Sequence, residues 1–252
     1  MTKARSRDHY SYSTYADPAM ARTFEDRRFG GPIGELVAGT QARVLANMVG
    51  RIQGRSILDV GTGAGRAALF LARGGAQVTA VDASEAMLAV ARRRAVEDGV
   101  KVRFLRGDAH ALDFRDDEFD VVVCLRVLMH TPDWRRCLAE LCRVAERLVI
   151  FDYPSATSAA LLQSLARRAI QVAGGRTEAY RVFTDRRIRR ALGRSGFRVR
   201  SIHRQFVMPM LLHRAIGSRR FTMFSEDLLA RAGALRVFGS PVTVVAERCA
   251  SS

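Results

Sequence analysis

Apolar side chains recur along this chain with two different periods, and the switches between them mark its elements. Over 34–51, Leu36, Val37, Val44, Leu45, Met48 and Val49 fall on one helical stripe. A short apolar run at 56–60 ends in glycines and predicts a strand. Residues 64–73 predict a helix closed by Gly74 and Gly75. A strand over 77–81 and a helix over 84–98 follow, with Ser84 as N-cap and Gly99 beyond the end. Further strands are predicted at 101–105, 119–125 and 147–151. The run at 119–125 is almost wholly apolar, which predicts burial on both faces of a parallel sheet. Thr131 and Pro132 read as the N-cap and first residue of a helix. Its apolar stripe is Trp134, Cys137, Leu138, Leu141 and Cys142.

Strands alternating with helices of this length imply right-handed βαβ units. The predicted fold is therefore α/β and doubly wound, with a mostly parallel sheet of about seven strands. After Pro154 the rhythm changes. Leu161, Leu162, Leu165, Ala166, Ala169 and Ile170 mark an amphipathic helix before Gly174 and Gly175. Thr184 opens a very basic helix ending near Gly193, whose arginines 186, 187, 189, 190 and 194 read as a solvated face. Residues 197–207 and 241–248 read as the last strands, the final one antiparallel. Between them, 208–234 is rich in Met, Leu and Phe and predicts helix. These late helical segments should cap the sheet's C-terminal edge. Residues 1–32 have weak periodicity and carry Tyr10, Tyr12, Tyr15, Phe24 and Phe29, an irregular arm whose three tyrosines could lid a ligand or simply pack the arm down.

The candidate chemistry lies at Ile57-Leu58-Asp59-Val60-Gly61-Thr62-Gly63-Ala64-Gly65. This is a strand, a glycine turn and a helix start. Glycines permit positive φ and close approach of a ligand to the backbone, and helix-start amides point into the same space. The next strand ends in Val81-Asp82, where an acid can accept hydrogen bonds from ribose hydroxyls. A dinucleotide fingerprint, G-x-G-x-x-G, would need a third glycine where Arg66 stands. A nicotinamide oxidoreductase is therefore the weakest reading.

What stands instead is D-x-G-x-G-x-G, which resembles the S-adenosylmethionine (SAM)-binding motif of class I methyltransferases. Gly107-Asp108-Ala109 resembles that family's adenine-binding element, and Phe119-Asp120-Val121-Val122-Val123 its fourth strand. Leu128-Met129-His130-Thr131-Pro132-Asp133 is similar to the next segment of small-molecule members such as the ubiquinone and menaquinone C-methylating enzymes. One departure is the replacement of the family's Leu-x-Pro-Gly-Gly turn before the fifth strand by Val144-Ala145-Glu146-Arg147.

The resemblance covers roughly 55–152. It implies SAM as cofactor, held by Asp59, Gly61, Gly63, Gly65, Asp82, Ala83, Asp108, Ala109 and Leu125, with no metal. Asp59 would bind the methionyl amine or brace the turn, and Asp108 would face the adenine amino group. The chain then reads as one methyltransferase domain, 1–252. An arm and helix occupy 1–54, the SAM-binding core 55–152, and substrate-side helices with the last strands 153–252. His130, just past the fourth strand, could deprotonate or orient a nucleophile, or be a loop histidine bonded to backbone. Arg126, on the same edge, could hold an anionic substrate or partner an acid such as Asp152.

Charge widens the list of partners. Only Lys3 and Lys101 are lysines, and the formal charge is +16. It is uneven: residues 151–252 hold 18 Arg against 6 acidic residues, a net of +12. That half invites an anionic partner: a phosphorylated substrate, an acidic membrane surface or RNA. The leading expectation is methyl transfer to a small, partly apolar molecule, aromatic or quinone-like. The alternatives are an RNA methyltransferase and a non-catalytic SAM-binding regulator. No run of 18 apolar residues predicts a membrane span. The N-terminus lacks the apolar segment of a secretory signal, and the cysteines form no C-x-x-C pair. Together these suit the cytoplasm.

Overall fold

The computed structural model describes residues 20, 29–172 and 180–250. Helix α1 (Gly31–Val49) precedes β1 (Ser56–Val60), α2 (Arg66–Arg73), β2 (Gln77–Asp82), α3 (Glu85–Glu97), β3 (Val102–Arg106) and β4 (Phe119–Cys124). Helix α4 (Trp134–Val144) leads into β5 (Ala145–Tyr153). Then come α5 (Ala160–Val172), α6 (Asp185–Arg194), β6 (Phe197–Arg204), α7 (Met210–Ile216), α8 (Arg219–Arg231), α9 (Ala234–Phe238) and β7 (Val242–Arg248). Tyr10, Tyr12, Tyr15, Phe24, Gly174 and Gly175 lie outside the described residues.

The seven strands form one sheet in the order β3-β2-β1-β4-β5-β7-β6. Strands β1 to β5 are parallel, and β7 runs antiparallel to both neighbours. Alternation along each strand divides the core. Leu58, Val122, Val149 and Val244 face α4 and α6, whereas Ile57, Val121, Ile150 and Val245 face α1 and α2. Strand β4 is buried on both faces, as its apolar run predicts.

Local chemistry places several boundaries differently from the sequence pattern. Helix α4 is capped by Asp133, not Thr131: the Asp133 carboxylate accepts from the amides of Arg135 and Arg136, both at 3.1 Å. The Thr131 hydroxyl instead donates to the Leu128 carbonyl at 3.0 Å. Strand β6 stops at Arg204 rather than continuing to 207, because the Val207 and Met208 amides donate to the Glu226 carboxylate at 2.7 and 2.9 Å. Gly217, with φ of 69°, breaks the late helical stretch, and Ser218 restarts it as N-cap of α8.

Where a Pro-Gly-Gly turn would ordinarily separate helix from strand, α4 passes directly into β5. Its last carbonyls need donors from elsewhere. Arg248, at the far end of β7, supplies them: its guanidinium donates to the carbonyls of Cys142 (3.1 Å), Ala145 (2.6 Å) and Glu146 (3.0 Å), and pairs with Asp117. We expect Arg248→Ala to lower unfolding free energy by about 2 kcal/mol in denaturant titrations. Arg198→Ala, which removes an exposed pair with Glu247, should cost less than about 0.5 kcal/mol.

Candidate active site

Strand order reverses between β1 and β4, and a cleft opens at the C-terminal ends of these strands, where doubly wound sheets place ligands. The loop after β1 is shaped by three glycines with positive φ: Gly61 (71°), Gly63 (55°) and Gly65 (83°). The Gly61 and Thr62 amides donate to the Val81 carbonyl at 2.7 and 3.1 Å, folding the loop over the end of β2. A Cβ on Gly61 would lie 2.3 Å from Val127 Cγ2, so the β1 and β4 loops meet closely only around glycine. Gly65 has a packing role: its position caps α2, and a Cβ there would stand 3.0 Å from that of Ala91 in α3.

Two carboxylates organise the floor. Asp59 is 2% exposed. Its Oδ2 accepts from the Thr62 hydroxyl at 2.7 Å, and the Ala68 amide of α2 also donates to it. Burial nonetheless pushes its carboxyl up to about 6; the two hydrogen bonds and Arg66 oppose that rise, and Asp82 adds to it. Asp82 ends β2. Its Oδ2 accepts from the Gly63 amide at 2.8 Å and its Oδ1 from the Ser84 amide at 2.9 Å. Burial raises this carboxyl too, against those backbone donors. Asp82 thus ties the glycine loop to the start of α3.

Of the residues singled out from sequence, Asp59, Gly61, Gly63, Asp82, Ala83, Ala109, Leu125, Arg126 and His130 line this cleft. Gly65 and Asp108 do not. Asp108 Oδ1 accepts from the His110 amide at 2.9 Å and lies 2.7 Å from His110 Nδ1. His110, buried and lining the cleft, is the residue that sequence reasoning passed over. Its Nε2 accepts from the Asp133 amide at 3.4 Å, and Arg136 Nε donates to its carbonyl at 2.8 Å. The only signal was adjacency to Gly107-Asp108-Ala109.

Arg66, read from sequence only as a missing glycine, also lines the cleft. Its guanidinium sits 3.6 Å over the Phe29 ring and donates to Gln41 Oε1 at 2.6 Å. His130 is buried, its amide bonded to the Val127 carbonyl at 2.8 Å and its ring edge-on to Tyr180 at 6.2 Å. Arg126 has a positive φ of 66°, unusual for a side-chain-bearing residue. Its partnership with buried Asp152 runs through the backbone: the Arg126 amide donates to Asp152 Oδ1 at 2.5 Å.

Residues 57–147 match the family described as "Methyltransferase domain". The matched stretch runs from β1 into β5. Over 105 residues the chain is 42% identical to a demethylmenaquinone methyltransferase of Thermus thermophilus, covering 40% of this chain and 48% of that one. Over 90 residues it is 44% identical to a ubiquinone biosynthesis O-methyltransferase of Alkalilimnicola ehrlichii, covering 35% and 36%. The match thus spans about half or less of these curated relatives. Across nearly its whole length the fold is that of a magnesium protoporphyrin IX methyltransferase from Synechocystis, solved with bound S-adenosylhomocysteine. The TM-score is 0.66, with 21% identity, 95% of this chain and 98% of that chain covered. At that identity the likeness establishes the fold.

The elevated Asp59 carboxyl yields a signed prediction. The folded chain holds this proton to higher pH than the unfolded chain does. Its contribution to stability is full below the ordinary carboxylate value of 3.8 and is lost as pH rises through about 6. Asp59→Asn should therefore make the ligand-free protein more stable at pH 8, by about 1–3 kcal/mol, with little change at pH 4. Denaturant titrations at the two pH values measure it.

Proposed function

We propose that this protein is a SAM-dependent methyltransferase acting on a small, partly apolar molecule, of aromatic or quinone-like kind. The observation that carries the reading is the buried Asp59 carboxylate at the floor of a switch-point cleft. A buried anion of raised pKa is relieved by a cationic ligand group, and the ammonium of SAM's methionyl moiety is one. The rest of the cleft suits the remainder of that cofactor. Asp82 would take ribose hydroxyls, and Val81, Met87, Ala109 and Leu125 offer apolar walls to the adenine. With Asp108 Oδ1 and His110 committed to each other and to the start of α4, the Ala109 backbone is left to address the adenine edge.

When bound, SAM supplies an electrophilic methyl on its own sulfonium leaving group. What falls to the chain is positioning and exclusion of water, with one proton acceptor. His130 stands on the cleft wall with its backbone fixed, placed to accept that proton. Arg126, in its strained backbone conformation, lies beside it for an anionic substrate group. The two relatives, a demethylmenaquinone methyltransferase and a ubiquinone biosynthesis O-methyltransferase, support a lipophilic ring as acceptor.

Calorimetric titration with S-adenosylhomocysteine tests the cofactor. We expect saturable binding that NAD does not displace and that Asp82→Ala weakens at least about tenfold. A folded sample that does not bind would overturn the reading. For the chemistry, a panel of phenols, quinols and amines should yield at least one methylated product. His130→Ala should cut that turnover about 100-fold or more, leaving S-adenosylhomocysteine affinity within about twofold. Loss of binding instead would make His130 structural.

A further inference from the structure

Among the described residues, fourteen large apolar side chains stand exposed, and thirteen of them fall between Leu161 and Phe238. Helix α8 concentrates the anomaly, because it is amphipathic in the wrong sense. Its inward face is polar: Thr222 is 1% exposed, its hydroxyl 3.0 Å from Nδ1 of the fully buried His213, whose Nε2 lies 2.8 Å from Glu226 Oε1. Its outward face is apolar, with Phe224 71% and Leu228 58% exposed. At helical spacing the exposed Arg220 and Arg231 bracket these two side chains, Arg231 in an exposed ion pair with Asp227 at 2.7 Å. Leu211 of α7, 79% exposed, and Phe238 of α9, 49% exposed, extend the apolar surface on the neighbouring helices. A soluble helix turns its apolar stripe inward. One that buries a hydrogen-bonded polar cluster and offers Phe and Leu between arginines is built to meet something outside the chain.

We propose that the outward face of α7–α9 docks on an anionic lipid surface. Charge decides among occupants. Residues 208–240, which hold these helices, carry five Arg against two acidic residues, within a C-terminal part whose net is +12, so the partner is negative. A second copy seated face to face would set Arg220 and Arg231 against their own equivalents. The chain's own residues 1–28 hold six basic residues against four acidic ones and bring no compensating charge. RNA answers the arginines but leaves Leu211 and Leu228 without a partner. An anionic bilayer answers both: apolar side chains enter the headgroup boundary while arginines meet phosphates. No described helix is long and apolar enough to cross a membrane, so the contact is with the surface.

Position gives the surface a use. Helices α7–α9 lie between the end of β6 and the start of β7, at the end of the sheet where β5 finishes and where the cleft opens. Docking there would turn the cleft's edge of the sheet toward the lipid. The proposal stands on the cap alone and does not depend on methyl transfer.

The test is co-sedimentation of the full chain with vesicles of phosphatidylglycerol and phosphatidylcholine, against phosphatidylcholine alone. We expect at least about tenfold stronger partition onto the anionic vesicles, weakened in about 0.5 M salt. The double variant Phe224→Asp, Leu228→Asp should lose at least about tenfold of that binding, with circular dichroism and melting unchanged because both side chains are exposed. Arg220→Gln with Arg231→Gln should reduce the preference for anionic vesicles. Absence of vesicle binding would overturn the proposal, as would a double variant that binds like wild type. Failure to bind vesicles, coupled with a dimer in sedimentation velocity that the double variant dissolves, would assign the face to a second copy. Binding of homopolymer RNA without vesicle binding would assign it to nucleic acid.

Discussion

A carboxylate held almost out of water near the end of β1, an interior strand, sets the terms for the rest of this molecule. Asp59 stands at a position where burial raises its proton affinity, supported among the described residues by a threonine hydroxyl, a backbone amide and the field of Arg66. An apolar residue there would cost the fold less. The surroundings follow from keeping that charge. The glycine loop must turn sharply enough for Thr62 to reach back to Asp59, and α2 must begin close enough for its first turn to donate. Asp82 must pin the loop from the other side through Gly63. Three successive alternate glycines make this possible, one of them clearing Val127 and another bringing α2 against α3.

Sheet topology converts that local arrangement into a site. Because β1 and β4 are neighbours while their following helices cover opposite faces, their loops diverge and leave a cleft between them. The β1 side contributes the fixed carboxylates. The β4 side contributes Arg126 and His130 on a loop held to β5 through Asp152. On the function proposed above, one wall would seat the cofactor and the other would face the reaction. The late helices stand at the same end of the sheet, beyond both.

Much of this was legible from sequence because it is local. Period and glycine punctuation marked the parallel strands, and the apolar run of β4 announced its double burial. The spacing from the glycine loop to Asp82 announced a second acid on the cleft. What escaped depends on contacts distant in sequence or on competition between neighbouring side chains. No pattern near Ala145 shows that Arg248, over a hundred residues later, completes the end of α4. Asp108 has the position of a ligand-facing acid, and no pattern announced that its Oδ1 would also meet the ring of His110. Thr131 was an adequate cap by propensity, but Asp133, two residues on, takes two amides at once. Helix α8 was legible as helix; that its apolar stripe faces outward emerges only once His213 and Glu226 are seen to occupy the inside.

The most direct test of the account measures protons. At pH 6, near the value to which burial raises Asp59, the free protein carries this proton about half the time. A cationic ligand seated against the carboxylate must expel it. Calorimetry of S-adenosylhomocysteine binding in buffers of different ionisation enthalpy should show release of about half a proton per site at pH 6, falling to about zero at pH 8. The release should be absent in Asp59→Asn. Binding at pH 6 with no proton release would mean that the ligand's ammonium is held elsewhere, and that Asp59 only braces the loop.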